Sequence, residues 1–172
     1  QEIYGGIGQL ITASEVADDG IAIHWSQASE HSAALFSALG SPAQSHGNIL
    51  GLLDKAGFGY RCLTTRGIEN GELQKRGFRM LFLPCSQAIS EAEAQVIRAF
   101  VESGGNLVAD TAVGFMDGHC RPLWKSEGWK GQLDDIFGTA RYGEPKLVQS
   151  TWEKAAAGFE VLVSTATDVP LA

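Results

Sequence analysis

The sequence is short of several features that would declare a chemistry outright. Its three cysteines, Cys62, Cys85 and Cys120, are odd in number and widely spaced. None belongs to a Cys-x-x-Cys pair, so the usual templates for structural zinc and for dithiol redox exchange are excluded. Unpaired thiols favour a reducing, cytoplasmic setting. Positive charge is also scarce: 13 Lys and Arg against 20 Asp and Glu leave a formal net charge of -7. With no basic stripe to displace counterions from a phosphate backbone, nucleic acid is not an expected partner. Long apolar runs are missing too. The run from Phe78 to Pro84 is far below the roughly 20 residues that span a bilayer, so no membrane partner is expected. No basic segment followed by an apolar one opens the chain, and no signal peptide is read there.

What is present suffices for one folded domain. The 172 residues, 44% of them hydrophobic and 19% charged, can bury a real core and do not resemble a disordered chain. Ile3, Ile7, Leu10 and Ile11 recur at helical spacing and predict an amphipathic entry helix within residues 1–19, ahead of the domain. Residues 20–172 form the domain proper. The chain starts at Gln1 without methionine and ends in Val161 to Ala172, a strand and turn broken off in mid-pattern, so we expect an excised piece truncated at its C-terminal end.

The order of elements predicts an α/β fold. Ile21 to Ile23 reads as a buried strand ending near Trp25, with Ser26 to His31 as the loop leaving it. A short helix follows over Ser32 to Leu39, capped by Ser29 or Ser32 and closed by Gly40. A second helix presents Ile49, Leu50, Leu52 and Leu53 before Gly57 stops it, and Tyr60 to Leu63 is the next strand. The run Met80 to Leu83, ended by Pro84, is hydrophobic on both faces, as in a central parallel strand. Ser90 and Glu93 form a capping box for a helix whose inner side is Ala92, Val96, Ile97, Phe100 and Val101, terminated by Gly104 and Gly105. Leu107 to Ala109 is a further strand, and a helical turn around Leu133, Ile136 and Phe137 closes at Gly138. Val161 to Val163 supplies a possible extra strand. Strand, helix, strand with a right-handed crossover is the unit of a parallel sheet. The fold expected is therefore three-layered, flavodoxin-like or class I glutamine-amidotransferase-like, with a mainly parallel sheet.

In such sheets ligands bind beyond the carboxyl ends of the strands, which directs attention to Trp25 to His31, Pro84 to Gln87 and Asp110 to Cys120. Cys85 follows a strand and precedes a helix, the place of an amidotransferase nucleophile. It is flanked by Pro84 and Ser86, however, where a nucleophile elbow carries glycines, and an inert buried thiol is the simpler reading. His119 or His24 would be its base. Asp110, Asp117 and His119 share one loop but match no metal or acid–base template, and Asp-Gly-His also suits an exposed turn. His24 has Ser26 beside it but no acidic partner by spacing, and His46 reads as an exposed residue. Ser26, Asp110, Asp117 and Trp124 are the ligand-binding candidates; Trp124 and Trp129 would stack on a sugar, anchor a subunit contact or simply pack. The glycines near Gly5 to Gly8 lack both the preceding strand and the following Lys-Ser/Thr of a phosphate loop. No metal, cofactor or catalytic residue is therefore assigned.

The stretch FRMLFLPCSQAISEAEAQVIRAFVESGGNLVAD, Phe78 to Asp110, resembles the middle domain of trimeric β-galactosidases of glycoside hydrolase family 42. The loop Thr111 to Gly118, the segment GQLDDIFGTAR at Gly131 to Arg141 and the opening GIAIHWSQAS at Gly20 to Ser29 extend the likeness in order. The resemblance implies an amidotransferase-like fold without the amidotransferase nucleophile, non-catalytic, making trimer contacts beside a catalytic (β/α)8 barrel of the same parent chain. The catalytic glutamates of that family belong to the barrel, so no residue here inherits a hydrolytic role. Two alternatives remain: a small amidotransferase-like hydrolase using Cys85, and a sugar-sensing domain.

Overall fold

A computed structural model describes residues 5–14, 18–36, 40–111, 113–123 and 130–139. Trp124, Trp129, Arg141 and the strand expected at Val161 to Val163 lie outside them. Among the described residues the elements run α1 (Ile7–Ala13), β1 (Ile21–Trp25), α2 (Gln27–Leu35), α3 (Pro42–Ala56), β2 (Tyr60–Thr64), α4 (Thr65–Glu69), α5 (Glu72–Lys75), β3 (Met80–Leu83), α6 (Glu91–Glu102), β4 (Asn106–Ala109) and α7 (Asp134–Phe137).

The four strands form one all-parallel sheet in the order β2-β1-β3-β4. Ile21 stands opposite Tyr60 on one side and Met80 on the other, and Met80 stands opposite Asn106. Because side chains alternate across a strand, this register divides the apolar residues into two cores. Ile21, Ile23 and Leu53 pack with Ile49, Leu50, Met80 and Phe82 under α3. On the opposite face Ala22, Leu63, Leu81 and Leu83 meet Ile68, Leu73, Ala94, Ile97 and Phe100 from α4 to α6, with Leu133 at the cap of α7. The result is a three-layer α/β fold with helices on both sides of the sheet, as the alternation of strands and helices predicts.

Local chemistry accounts for most boundaries. Ser90 accepts the Glu93 N–H at 3.0 Å while Glu93 Oε2 accepts the Ser90 N–H at 2.9 Å, completing the capping box of α6. Gly57 sits at φ 74 and closes α3, its N–H and that of Phe58 bonding back to Asp54 and Leu53, a left-handed stop that a side chain resists. Gly138 ends α7 in the same way at φ 62.

Several expectations change. The loop expected over Ser26 to His31 is the first half of α2, which begins at Gln27, and its cap is Ser26 rather than Ser29 or Ser32. Ala92 is exposed, and Glu93 and Ala94 turn inward instead. α4 and α5 were not expected. Their 65–77 stretch carries just two core residues, Ile68 and Leu73, five apart, which is too sparse a pattern to register as periodic. The α1 stripe of Ile7, Leu10 and Ile11 forms as a helix but buries none of its residues.

Gly105 is a packing requirement, not merely a stop. A Cβ built there would lie 2.4 Å from the ring of Phe100, which is fully packed in the larger core. Gly105→Ala must push that ring aside, and overpacking of this kind costs about 1–3 kcal/mol. The urea midpoint should fall accordingly with an unchanged slope; an unshifted midpoint would show that the ring moves freely.

Candidate functional site

Strand order reverses between β1 and β3, since the chain moves from β1 outward to β2 and then crosses back to β3 on the other side. The carboxyl ends of these two strands mark the crevice where open α/β sheets take ligands. Here that position is filled by a closed set of polar side chains.

Its centre is His24, on β1 and fully buried. Nδ1 lies 2.8 Å from Ser86 Oγ and Nε2 lies 3.0 Å from Glu93 Oε1. With Glu93 ionised, the Nε2–H of His24 donates to the carboxylate and the Ser86 hydroxyl lies against Nδ1, so each member of the chain has a partner. Burial pushes the Glu93 carboxyl upward, but hydrogen bonding and charge from His24, the Ser90 N–H and Thr65 together outweigh it and hold the group below the usual glutamate range.

Around this chain the segment after β3 is tied down residue by residue. Ser26 and Ser29 both donate to the Ala88 carbonyl, at 3.3 and 3.2 Å, and the Ala88 N–H donates to Ser29 Oγ at 3.1 Å. Ser32 donates to Gln87 Oε1 at 2.9 Å, and Gln87 Nε2 reaches the Gly40 carbonyl and Cys85 Sγ, each at 3.3 Å. From the opposite side the Gly114 N–H donates to the Ser86 carbonyl, and the Met116 N–H to that of Gln87, both at 2.9 Å.

Cys85 lies where the sequence suggests a nucleophile, and its backbone adopts φ 41, the left-handed region, although no glycine flanks it. The strained turn thus forms without the expected residues. Asp110 makes it possible: Oδ1 accepts the Cys85 N–H and the Thr111 N–H, each at 2.6 Å, and Oδ2 accepts the Ser45 hydroxyl of α3. The thiol is only 1% exposed, and burial pushes its pKa up, reinforced by the charges of Asp110 and Glu30 against weaker lowering by Gln87 and Thr111. A raised, covered thiol has little thiolate with which to attack.

The other candidates disperse. Asp117 holds its own loop: Oδ1 accepts the N–H groups of His119 and Arg121, and Oδ2 pairs with Arg121 Nε at 2.7 Å. Burial raises its carboxyl, and these donors overcome that and lower it. His119 is exposed, and Cys120 Sγ bonds to the Ala28 carbonyl at 3.2 Å. Among the described residues no three His, Cys, Asp or Glu side chains converge as a metal site, and no helix is long and apolar enough to cross a membrane.

His46 is not the exposed residue expected from sequence. It is buried, with Nδ1 2.9 Å from the Pro42 carbonyl and Nε2 2.8 Å from the His24 carbonyl. Sequence spacing also hid Ser86 and the acidic partner of His24: Glu93 lies 69 residues away and announced itself only as a helix cap. The sole available signal was a capping glutamate on a strand-following helix beside a strand-end histidine.

No protein-family model matches the chain, and no curated protein matches its sequence. Among solved structures, the crystal structure of β-galactosidase from Bifidobacterium adolescentis is similar, with a TM-score of 0.58 and 20% identity over 72% of this chain. This chain spans about half of that one, 54%. The likeness establishes a shared fold.

Two outcomes follow from this geometry. Glu93→Gln replaces the carboxylate with a neutral amide, so the His24 and Ser90 bonds lose their charged acceptor and at most one of them keeps a carbonyl oxygen, at a cost of about 1–3 kcal/mol. Because the folded-state pKa of Glu93 is depressed, its contribution is complete above the unfolded pKa of about 4.3 and is lost as pH falls through the lower folded value. Wild type should therefore lose stability below that pH, and Glu93→Gln should show a shallower acid limb in denaturant melts. Separately, a thiol reagent at neutral pH should modify exposed Cys62 first and leave Cys85 protected until the chain unfolds; rapid labelling of Cys85, located by mass spectrometry, would contradict the burial described.

Proposed function

We propose that this chain is a non-catalytic structural and oligomerisation domain of a β-galactosidase-like glycoside hydrolase, corresponding to the middle domain of glycoside hydrolase family 42. Residues 1–19 then lead in from a catalytic (β/α)8 barrel, residues 20–172 are the amidotransferase-like domain, and a homotrimer is the favoured assembly. The observation that carries the reading is the filling of the switch-point crevice by His24, Glu93, Ser86, Gln87 and the serines of α2, where an enzyme of this fold would keep room for substrate. The fold shared with the β-galactosidase from Bifidobacterium adolescentis supports the parentage, as does the run of sequence resemblance from Gly20 to Arg141. The left-handed backbone at Cys85 favours the alternative, an amidotransferase-like hydrolase, but the buried thiol with a raised pKa weighs against it.

Sedimentation equilibrium of the 172-residue chain across a wide concentration range tests the assembly role. A reversible monomer–trimer equilibrium is expected. A strict monomer at every concentration would remove oligomerisation from this segment, and amidase, esterase or glycosidase turnover abolished by Cys85→Ala or Ser86→Ala would overturn the non-catalytic reading.

A further inference from the structure

Trp25 ends β1 and remains 45% exposed at the carboxyl edge of the sheet, beside the sealed crevice. Its register places it on the face of the sheet covered by α3, and the ring of His46 from that helix backs the indole, with centroids 4.8 Å apart and planes tilted 52°. His46 is itself fixed, and its Nε2 bonds to the carbonyl of His24, the residue preceding Trp25. The backbone that carries the indole and the ring behind it are therefore held together, so one aromatic surface faces solvent on a rigid mount. A preformed surface of this kind loses little freedom when something binds to it.

The neighbours fix the chemistry. Thr64 is the cross-strand partner of Trp25 and is exposed. Its oxygen accepts the Gly67 N–H at 3.2 Å, which leaves the hydroxyl proton able to donate outward. An indole with a hydroxyl beside it suits a ligand with one C–H face and hydroxyls around its edge. The negative face of the indole attracts polarised C–H groups, and a pyranose with an axial 4-hydroxyl presents an unbroken C–H patch on one side.

We propose that Trp25, with Thr64 beside it, is a stacking platform for a hexopyranoside. The choice of a β-galactoside as first probe rests on the glycoside hydrolase reading above. The platform lies outside the sealed crevice and needs no catalytic group.

The test follows the indole N–H resonances of the full chain during titration with lactose and, separately, cellobiose. The Trp25 signal is identified by its disappearance in Trp25→Phe. A saturable shift of that signal in the millimolar range is expected. Binding by the variants, which lack that signal, is read by titration calorimetry: Trp25→Ala should weaken it about tenfold or more while Trp25→Phe retains part of it, since the difference between them is the aromatic face. Circular dichroism melts check that both variants fold. A Trp25 indole that ignores both sugars, or a Trp25→Ala protein that binds them as wild type does, overturns the proposal. So does a Trp25 signal that shifts with protein concentration and not with sugar, which would make the indole a subunit contact. A trimer that ignores sugar sinks the platform alone; a monomer that binds sugar sinks the assembly role alone.

Discussion

The hydrogen-bond chain from Ser86 through His24 to Glu93 is the constraint around which the rest of this molecule is arranged. It joins the second-last residue of β1 to the turn after β3 and the first turn of α6, 62 and 69 residues further along the sequence. All three groups are buried, and an unpaired member in so low a dielectric costs far more than a satisfied one returns. The chain therefore specifies geometry. The Glu93 carboxylate must sit where both the His24 ring and the Ser90 N–H reach it, which sets the start of α6 against the end of β1. Once α6 is placed, its Ala94, Ile97 and Phe100 fall onto Leu81 and Leu83, and the larger core follows.

Asp110 performs a second, adjoining task. Its two oxygens link the turn at Cys85, the following Thr111 and the first turn of α3. Backbone strain at a non-glycine residue persists only where surrounding contacts over-determine it, and three charge-assisted bonds to one carboxylate do so here. The left-handed turn at Cys85 thus needs no nucleophile to explain it. The same turn aims Gln87 back beneath α2, where it meets Ser32 and Gly40.

The fold was legible because each major element states its own limits: the continuous apolar run at Met80 to Leu83, the Ser90–Glu93 box and the glycines at 57 and 138 are all local signals. The polar network was not legible for the opposite reason. Glu93 reads as a cap because it is one, and nothing within its own turn reveals that its second oxygen serves His24. His46 looked exposed because a helix whose apolar residues begin at Ile49 gives no hint that its first turn lies against β1. Short elements such as α4 and α5 lack the repeats that make a periodicity visible. Local chemistry, in this chain, writes the secondary structure, while the pairing of buried polar groups appears only once the layers are stacked.

The closure of the crevice has an energetic consequence for where any ligand can act. To admit a substrate between β1 and β3, the chain would have to break bonds among Ser26, Ser29, Ser32, Gln87 and Ala88, then expose or strand His24 and Glu93. Each broken bond forfeits about 1 kcal/mol, and each buried group left unpaired costs about 1–3 kcal/mol more. Several such terms together rival the whole stability of an ordinary domain, about 5–15 kcal/mol. Binding there would have to supply that sum before any affinity remained. The outer face of Trp25 carries no such debt, because its supports at His46 and Thr64 are satisfied without a ligand and stay so when one arrives. Among the described residues, a ligand avoids that cost only at surfaces that are already open.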